Sequence, residues 1–178
     1  METPAWDNAL CAFAYRFPVD ELLRMAKYRR SAPALDAVGR AAAAIFKDRW
    51  RFAADVLIPV PLHWSRHWRR GFNQACELAR PTAAALGLPV TPEALKRTRR
   101  TSAQSRQDLA SRRRNVDGAF AARVSLTGLR VVLFDDVLTT GATLSAAAMA
   151  ARAAGARHIR VLTCARADVQ ANLKNTRT

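Results

Sequence analysis

Nothing in this chain approaches the roughly 18 consecutive apolar residues that a membrane-spanning helix needs, so no such span is expected. Cysteine is scarce: Cys11, Cys76 and Cys164 stand alone, with no Cys-x-x-Cys pair. That argues against a disulfide framework or a local zinc knuckle and fits a reducing compartment. Each thiol is left as a small apolar side chain to bury. Met1 to Asn8 carries acids and no basic stretch, so no secretory leader is expected and the cytoplasm is the default location. Internal repeats and an inter-domain linker are missing too, and the 178 residues are expected to form one domain.

Acids are also in short supply, 14 against 29 Lys and Arg, for a net charge of +15. Many of the arginines fall within Arg66 to Arg70 and Arg97 to Arg114. Clustered cations raise the local concentration of polyanions: nucleic acid, a pyrophosphate substrate, or an acidic membrane surface.

The most informative stretch is Val131-Val-Leu-Phe-Asp-Asp-Val-Leu-Thr-Thr-Gly-Ala-Thr143. Val131 to Phe134 reads as a buried parallel strand, which is continuously apolar because both its faces are covered. Asp135 and Asp136 then fall at the strand's carboxyl end, where open α/β sheets bind ligands. Thr139, Thr140, Gly141, Ala142 and Thr143 form a loop at the mouth of the next helix. There, unpaired backbone N–H groups and the helix dipole favour a phosphate, and Gly141 lets the backbone approach it closely. Acids for sugar hydroxyls beside donors for a phosphate make a site for a ribose 5-phosphate. The plainer alternative is a buried strand, an Asp-rich turn and an N-cap. An N-cap, however, does not require two acids, Thr-Thr-Gly and a further Thr together.

Along the rest of the chain, Leu10 to Arg16 suits an edge strand or hairpin arm. Val19 to Arg29 has a helical apolar face. Pro33 can start a second helix, with Leu35, Val38, Ala42, Ile45 and Phe46 inside. Asp55 to Val60 reads as a central strand. Asn73 to Leu86 reads as a helix closed by Gly87, with Pro81 expected to kink or break it. Arg97 to Gln107 reads as a mobile loop and Asp108 to Asn115 as a short basic helix. Gly118 to Ala121 leads into a strand, Thr143 to Ala154 is the helix after the signature, and His158 to Cys164 the next strand. Strands alternating with helices point to an α/β fold with a doubly wound, mainly parallel sheet.

A second stretch, Ile58-Pro-Val-Pro-Leu-His63 with Arg66, Arg69, Arg70 and Gly71, delivers guanidinium groups at a strand's carboxyl end. Arginine suits phosphate because its planar fork pairs two oxygens and keeps its charge. A basic surface loop packed on its tryptophans is the alternative. Trp64 and Trp68 are open to either reading, as stacking platforms or as anchors. His63 and His67 suit packing or surface positions as well as phosphate. Lys27 and Arg29 end a helix, where cations favour the dipole whatever the function.

The thirteen residues from Val131 to Thr143 resemble the phosphoribosyl pyrophosphate (PRPP) signature of type I phosphoribosyltransferases. Tyr15, Lys27-Tyr-Arg29, Pro59-Val-Pro-Leu-His63, Arg69-Arg-Gly-Phe-Asn-Gln74 and Arg112-Arg-Arg-Asn-Val-Asp-Gly-Ala-Phe120 extend the match. With them the chain resembles the ComF family of bacterial competence-associated proteins over about residues 10 to 166. The resemblance implies a sheet of the type I phosphoribosyltransferase kind, with a hood and helical part at 9–50, a PRPP-binding core at 51–168 and a frayed tail at 169–178. It implies that Asp135 and Asp136 bind the ribose hydroxyls and that the Thr139–Thr143 loop holds the 5-phosphate. Val60, Pro61, Arg69 and Arg70 would then face the pyrophosphate. The segment Thr98 to Gln107 is expected to close over it, bringing Arg99, Arg100 and Arg106 to the leaving group with Lys96 or Arg97 at its base. The catalytic set is then Asp135, Asp136, Arg99 and Arg106. Mg²⁺ would be held mainly by PRPP oxygens, with no metal site of the chain's own. Members usually begin with a four-cysteine zinc segment. This sequence has no such cluster, so a zinc role is not carried over.

Three functions share this one site. The first is Mg²⁺-dependent transfer of ribose 5-phosphate to an acceptor the sequence does not spell out. The second is a single-stranded-DNA-binding accessory protein of DNA uptake, motivated by the charge and by interleaved Trp and Arg. The third is a PRPP sensor that binds without turnover.

Overall fold

The computed structural model describes residues 4–29, 31–62, 73–98 and 118–167. The main sheet has four strands: β1 (Asn8–Ala14), β2 (Val56–Pro59), β5 (Arg130–Leu138) and β6 (His158–Arg166). They lie in the order β1-β6-β5-β2, every pair parallel. The helices are α1 (Val19–Arg29), α2 (Ala32–Arg49), α3 (Gln74–Leu86) and α4 (Ala142–Ala153). Two short strands, β3 (Leu95–Arg97) and β4 (Phe120–Ala122), form a separate antiparallel ribbon.

Alternation along β5 explains the layering. Val132 and Phe134 point into a core shared with Leu23 of α1, Phe46 of α2 and Leu78 of α3, where the Phe46 and Phe134 rings meet edge to face at 6.3 Å. Val131 and Leu133 point the other way, into a core shared with Leu144, Ala147 and Ala151 of α4 and Phe120 of the ribbon. A strand with both edges paired and both faces covered can only be apolar, and Val131 to Phe134 are all buried. The sheet is therefore doubly wound, as expected. Among the described residues no helix is long and apolar enough to cross a membrane.

Several details differ from the sequence expectation. The acids are not at the end of β5: the strand continues past Asp135 and Asp136 to Leu138, because β6 runs alongside and keeps pairing as far as Arg166. The loop after it shortens accordingly, and α4 begins at Ala142 with Gly141 as its N-cap. β1 is an edge strand beside β6 and no hairpin arm. Gly118 to Ala121 does lead into a strand, β4, but β3 and the pairing of the two as a ribbon were not expected, since a three-residue strand is too short to show a period. Pro81 neither breaks nor ends α3. Its ring instead packs against α2, where a Cβ at Gly39 would meet Pro81 Cγ at 3.0 Å. The missing N–H costs one helical hydrogen bond, and close packing of α2 on α3 offsets it. The expected basic helix at 108–115 and the tail at 169–178 lie outside the described residues.

β2 and β5 are locked together at their amino ends. Asp55 accepts from Arg130 Nη2 at 2.5 Å, from Arg130 Nε at 3.0 Å and from the Arg130 N–H at 2.7 Å, while its own N–H donates to Arg130 O at 2.9 Å. The side-chain and backbone hydrogen bonds from Arg130 hold the Asp55 carboxyl down at about 2, against an ordinary 3.8. A carboxyl lowered by folding stabilises the fold above its unfolded value and loses that contribution as pH falls towards the folded one. Thermal denaturation between pH 6 and pH 2 is expected to show a steep acid limb below about pH 4. Asp55→Asn should flatten that limb.

Candidate functional site

Three elements bring their ends together at the carboxyl edge of the sheet. β5 lies between β6 and β2, so Asp135 and Asp136 sit at the centre of that edge, opposite Thr163 of β6 in the case of Asp135. The chain leaving β2 stays alongside: Val60 N–H donates to Phe134 O at 2.8 Å, which sets Val60 and Pro61 beside the two acids. α3 starts at the same place. Its N-cap Asn73 accepts from Ala75 N–H at 3.2 Å and reaches back through Nδ2 to Val60 O at 3.3 Å. The end of β2 and the amino end of α3 are thereby tied to the flank of β5.

The acids are held by their own backbone. Asp135 Oδ1 accepts from Asp136 N–H at 2.9 Å, and Asp136 Oδ1 from Val137 N–H at 2.8 Å. Burial pushes the Asp135 carboxyl well above its ordinary range and the neighbouring Asp136 charge adds to this, opposed by the Asp136 N–H and by Arg97. Beneath them, burial first and the two carboxylates next raise the Cys164 thiol. Tyr15 lies at the same edge, its N–H bonded to Arg166 O at 2.8 Å. Burial raises its phenol; Arg24 opposes, and Asp20, Asp136 and Tyr28 add to the rise.

The loop after β5 leads straight into α4. Thr139 and Thr140 are exposed, and Gly141 sits at φ +78°, a left-handed conformation that only glycine adopts without strain. As the N-cap it offers no side-chain acceptor to the first turn of α4; the Ala142 N–H finds only Thr140 Oγ1, at 3.5 Å. The first helical N–H groups are thus left for a partner from outside. Ala142 and Thr143 are partly exposed at this mouth.

Arg97 supplies a cation on the other side. It ends β3, lies opposite Phe120 in the ribbon, and stacks its guanidinium 5.2 Å from that ring's centre. Thr98 and Gly118, which flank residues 99–117, are joined by Thr98 Oγ1–H to Gly118 O at 2.8 Å. Thr98 and Gly118 therefore stand together next to Arg97.

Of the residues the sequence singled out, the structure brings together Asp135, Asp136, Thr139, Thr140, Gly141, Ala142, Thr143, Val60 and Pro61. Arg69, Arg70, Arg99 and Arg106, with His63, Trp64, Arg66, His67 and Trp68, lie outside the described residues. Asn73 and Trp6 were missed as site residues, and Arg97 was placed only at the base of a loop. Asn73 had a readable signal, an Asn directly before a helix. Trp6, whose ring lies against Gly141, had none.

A scan against models of protein families finds no match. The chain is 33% identical over 162 residues to the DNA utilization protein YhgH of Escherichia coli O157:H7, covering 89% of this chain and 71% of that protein. To Competence protein F of Haemophilus influenzae it is 32% identical over 173 residues, 93% of this chain and 76% of the relative. Among solved structures, the glutamine PRPP amidotransferase from B. subtilis superposes with a TM-score of 0.50 and 22% identity, over 73% of this chain but only 26% of that one. At that identity the likeness is one of fold alone. Close to a third of residues shared along most of both chains is kinship, and this protein belongs to the ComF family of competence-associated proteins, on a type I phosphoribosyltransferase fold.

Proposed function

We propose that the carboxyl edge of β5 binds PRPP and that the protein is a Mg²⁺-dependent phosphoribosyltransferase. The observation that carries this reading is the placement of two adjacent carboxylates beside a glycine-started helix whose first N–H groups have no side-chain cap. Asp135 and Asp136 orient the ribose through its 2- and 3-hydroxyls. Thr139, Thr140 and the amides of Gly141, Ala142 and Thr143 hold the 5-phosphate. Val60 and Pro61 line the pyrophosphate side, where Arg97, with Arg69, Arg70, Arg99 and Arg106, offers cations to the leaving oxygens. The acids act by orienting and not as a general base, so the rate comes from positioning and electrostatics.

The donor set suits a metal delivered by the substrate. Among the described residues no group of three His, Cys, Asp or Glu converges, and the two carboxylates offer hard oxygen to a cation that PRPP itself holds. When bound, Mg²⁺ neutralises the pyrophosphate and makes it a better leaving group.

The test is an isothermal titration of PRPP with and without Mg²⁺ at moderate salt. Saturable binding that requires Mg²⁺ is expected, and Asp136→Asn should weaken it roughly 10- to 100-fold, the value of a charge-assisted hydrogen bond. Unaltered affinity in that variant would sink the reading.

Asp135 carries a cost for the fold. Its carboxyl is raised by folding, so the native state binds the proton more tightly than the unfolded chain does. Stability therefore falls as pH climbs from 3.8 through the raised value, and the penalty persists at pH 7. Asp135→Asn keeps an oxygen for the Asp136 N–H and removes the charge. It is expected to raise the melting temperature by a few degrees at neutral pH while abolishing PRPP binding. A lower melting temperature would refute the strain.

The relatives' names favour a second reading, in which the same basic face engages single-stranded DNA during DNA uptake. The net charge of +15 supports it. Binding to an oligonucleotide should then weaken steeply with salt, with a log–log slope of roughly −0.7 per phosphate neutralised. A flat dependence removes this role.

A further inference from the structure

We infer that Trp6 is a positioning residue for the loop between β5 and α4, which makes the stretch Ala5–Asp7 part of the ligand site. The inference rests on the reading of that loop as the 5-phosphate site.

A Cβ at Gly141 would lie 2.9 Å from Trp6 Cη2 and 3.6 Å from Cζ2, with Leu138 Cδ1 also at 3.6 Å. The indole therefore touches the backbone of the N-cap itself, closer than any residue with a side chain would permit. Gly141 is glycine for two separate reasons, its φ of +78° and this ring. The ring is half-buried and packs on the core that holds Leu138 and Leu144, so it braces the loop from the core side.

The next residue fastens the brace. Asp7 N–H donates to Ile159 O at 2.8 Å, and its carboxylate accepts from Ile159 N–H at 2.7 Å. The same carboxylate pairs with Arg152 in the last turn of α4, and His158 Nδ1 lies 3.6 Å away. Burial alone would raise the Asp7 carboxyl; the Ile159 N–H and Arg152 outweigh it and leave it lowered. Two consecutive residues thus grip both ends of α4, Trp6 at its first turn and Asp7 at its last.

The loop needs such support. Glycine is the residue with the most freedom to lose on ordering, and at Gly141 only the carbonyl is tied down, by Ser145 N–H at 2.8 Å, with no side-chain cap beside it. A loosely held N-cap would have to be ordered by the ligand, and that ordering would be subtracted from affinity. Trp6 removes the freedom beforehand and keeps the amides of Ala142 and Thr143 aimed at one point.

The experiment uses the full chain and ribose 5-phosphate as probe, with backbone hydrogen exchange of the unliganded protein alongside. Trp6→Ala is expected to weaken ribose 5-phosphate about 10-fold, within the range for contacting neighbours. Trp6→Phe should restore most of the loss. Amides of Ala142 to Ser145 should exchange faster in Trp6→Ala while those of Ala148 to Ala151 keep their wild-type rates. Gly141→Ala should cost less affinity in the Trp6→Ala background than alone, because the clash with the indole is gone. Wild-type affinity in Trp6→Ala, or loosening spread evenly along α4, overturns the proposal. A folded wild-type protein that does not bind ribose 5-phosphate overturns the phosphate reading, and the ligand role of Trp6 with it. The exchange pattern then still decides whether Trp6 braces Gly141.

Discussion

The two-sided pairing of β5 is the constraint on which the rest of this structure depends. With β6 on one edge and β2 on the other, every backbone group along Val131 to Phe134 is committed to the sheet or its continuation, and both faces must be covered. Three helices meet one face; α4 and the ribbon meet the other. Because β6 continues to Arg166, the ladder also holds the two acids, which turns a flexible pair of side chains into a fixed one. The Asp55–Arg130 lock sets the register at the opposite end of the same pair of strands.

That rigidity brings a conflict. Two carboxylates side by side within a buried strand repel each other, and burial together with the Asp136 charge raises the Asp135 carboxyl. The surroundings compensate in part: each acid accepts a backbone N–H, and Arg97 brings positive charge from the ribbon. A sugar diol would supply the remaining donors. A comparable cost appears at Gly141, where the helix starts without a side-chain cap.

Much of the architecture was legible because it is written in local patterns. Helix α1 falls at Val19–Arg29, where its apolar period placed it, and Asn73 and Gly87 close α3 as a capping Asn and a terminal glycine should. The apolar run of β5 identified a buried parallel strand, whereas Asp55 to Val60, expected to be central, is β2 at the end of the strand order. What escaped was of two kinds. Three-residue strands such as Leu95–Arg97 have no period to read, so a strand end was taken for the start of a loop. Pro81 was expected to kink or break its helix because local sequence cannot show that Gly39 of another helix leaves room for its ring.

The sequence alone determined the fold class, the acid pair and the glycine-bearing loop, since each follows from residue types at fixed spacing within one strand–loop–helix unit. Family membership was already suggested by runs of the same kind. Only the tertiary structure decided that Arg97 acts on Asp135, that Asn73 ties α3 to Val60, and that Trp6 backs Gly141 from 135 residues away in the chain. Contacts of that kind depend on which elements the sheet order brings side by side. No local pattern carries that information, because it comes from burying all the apolar faces at once.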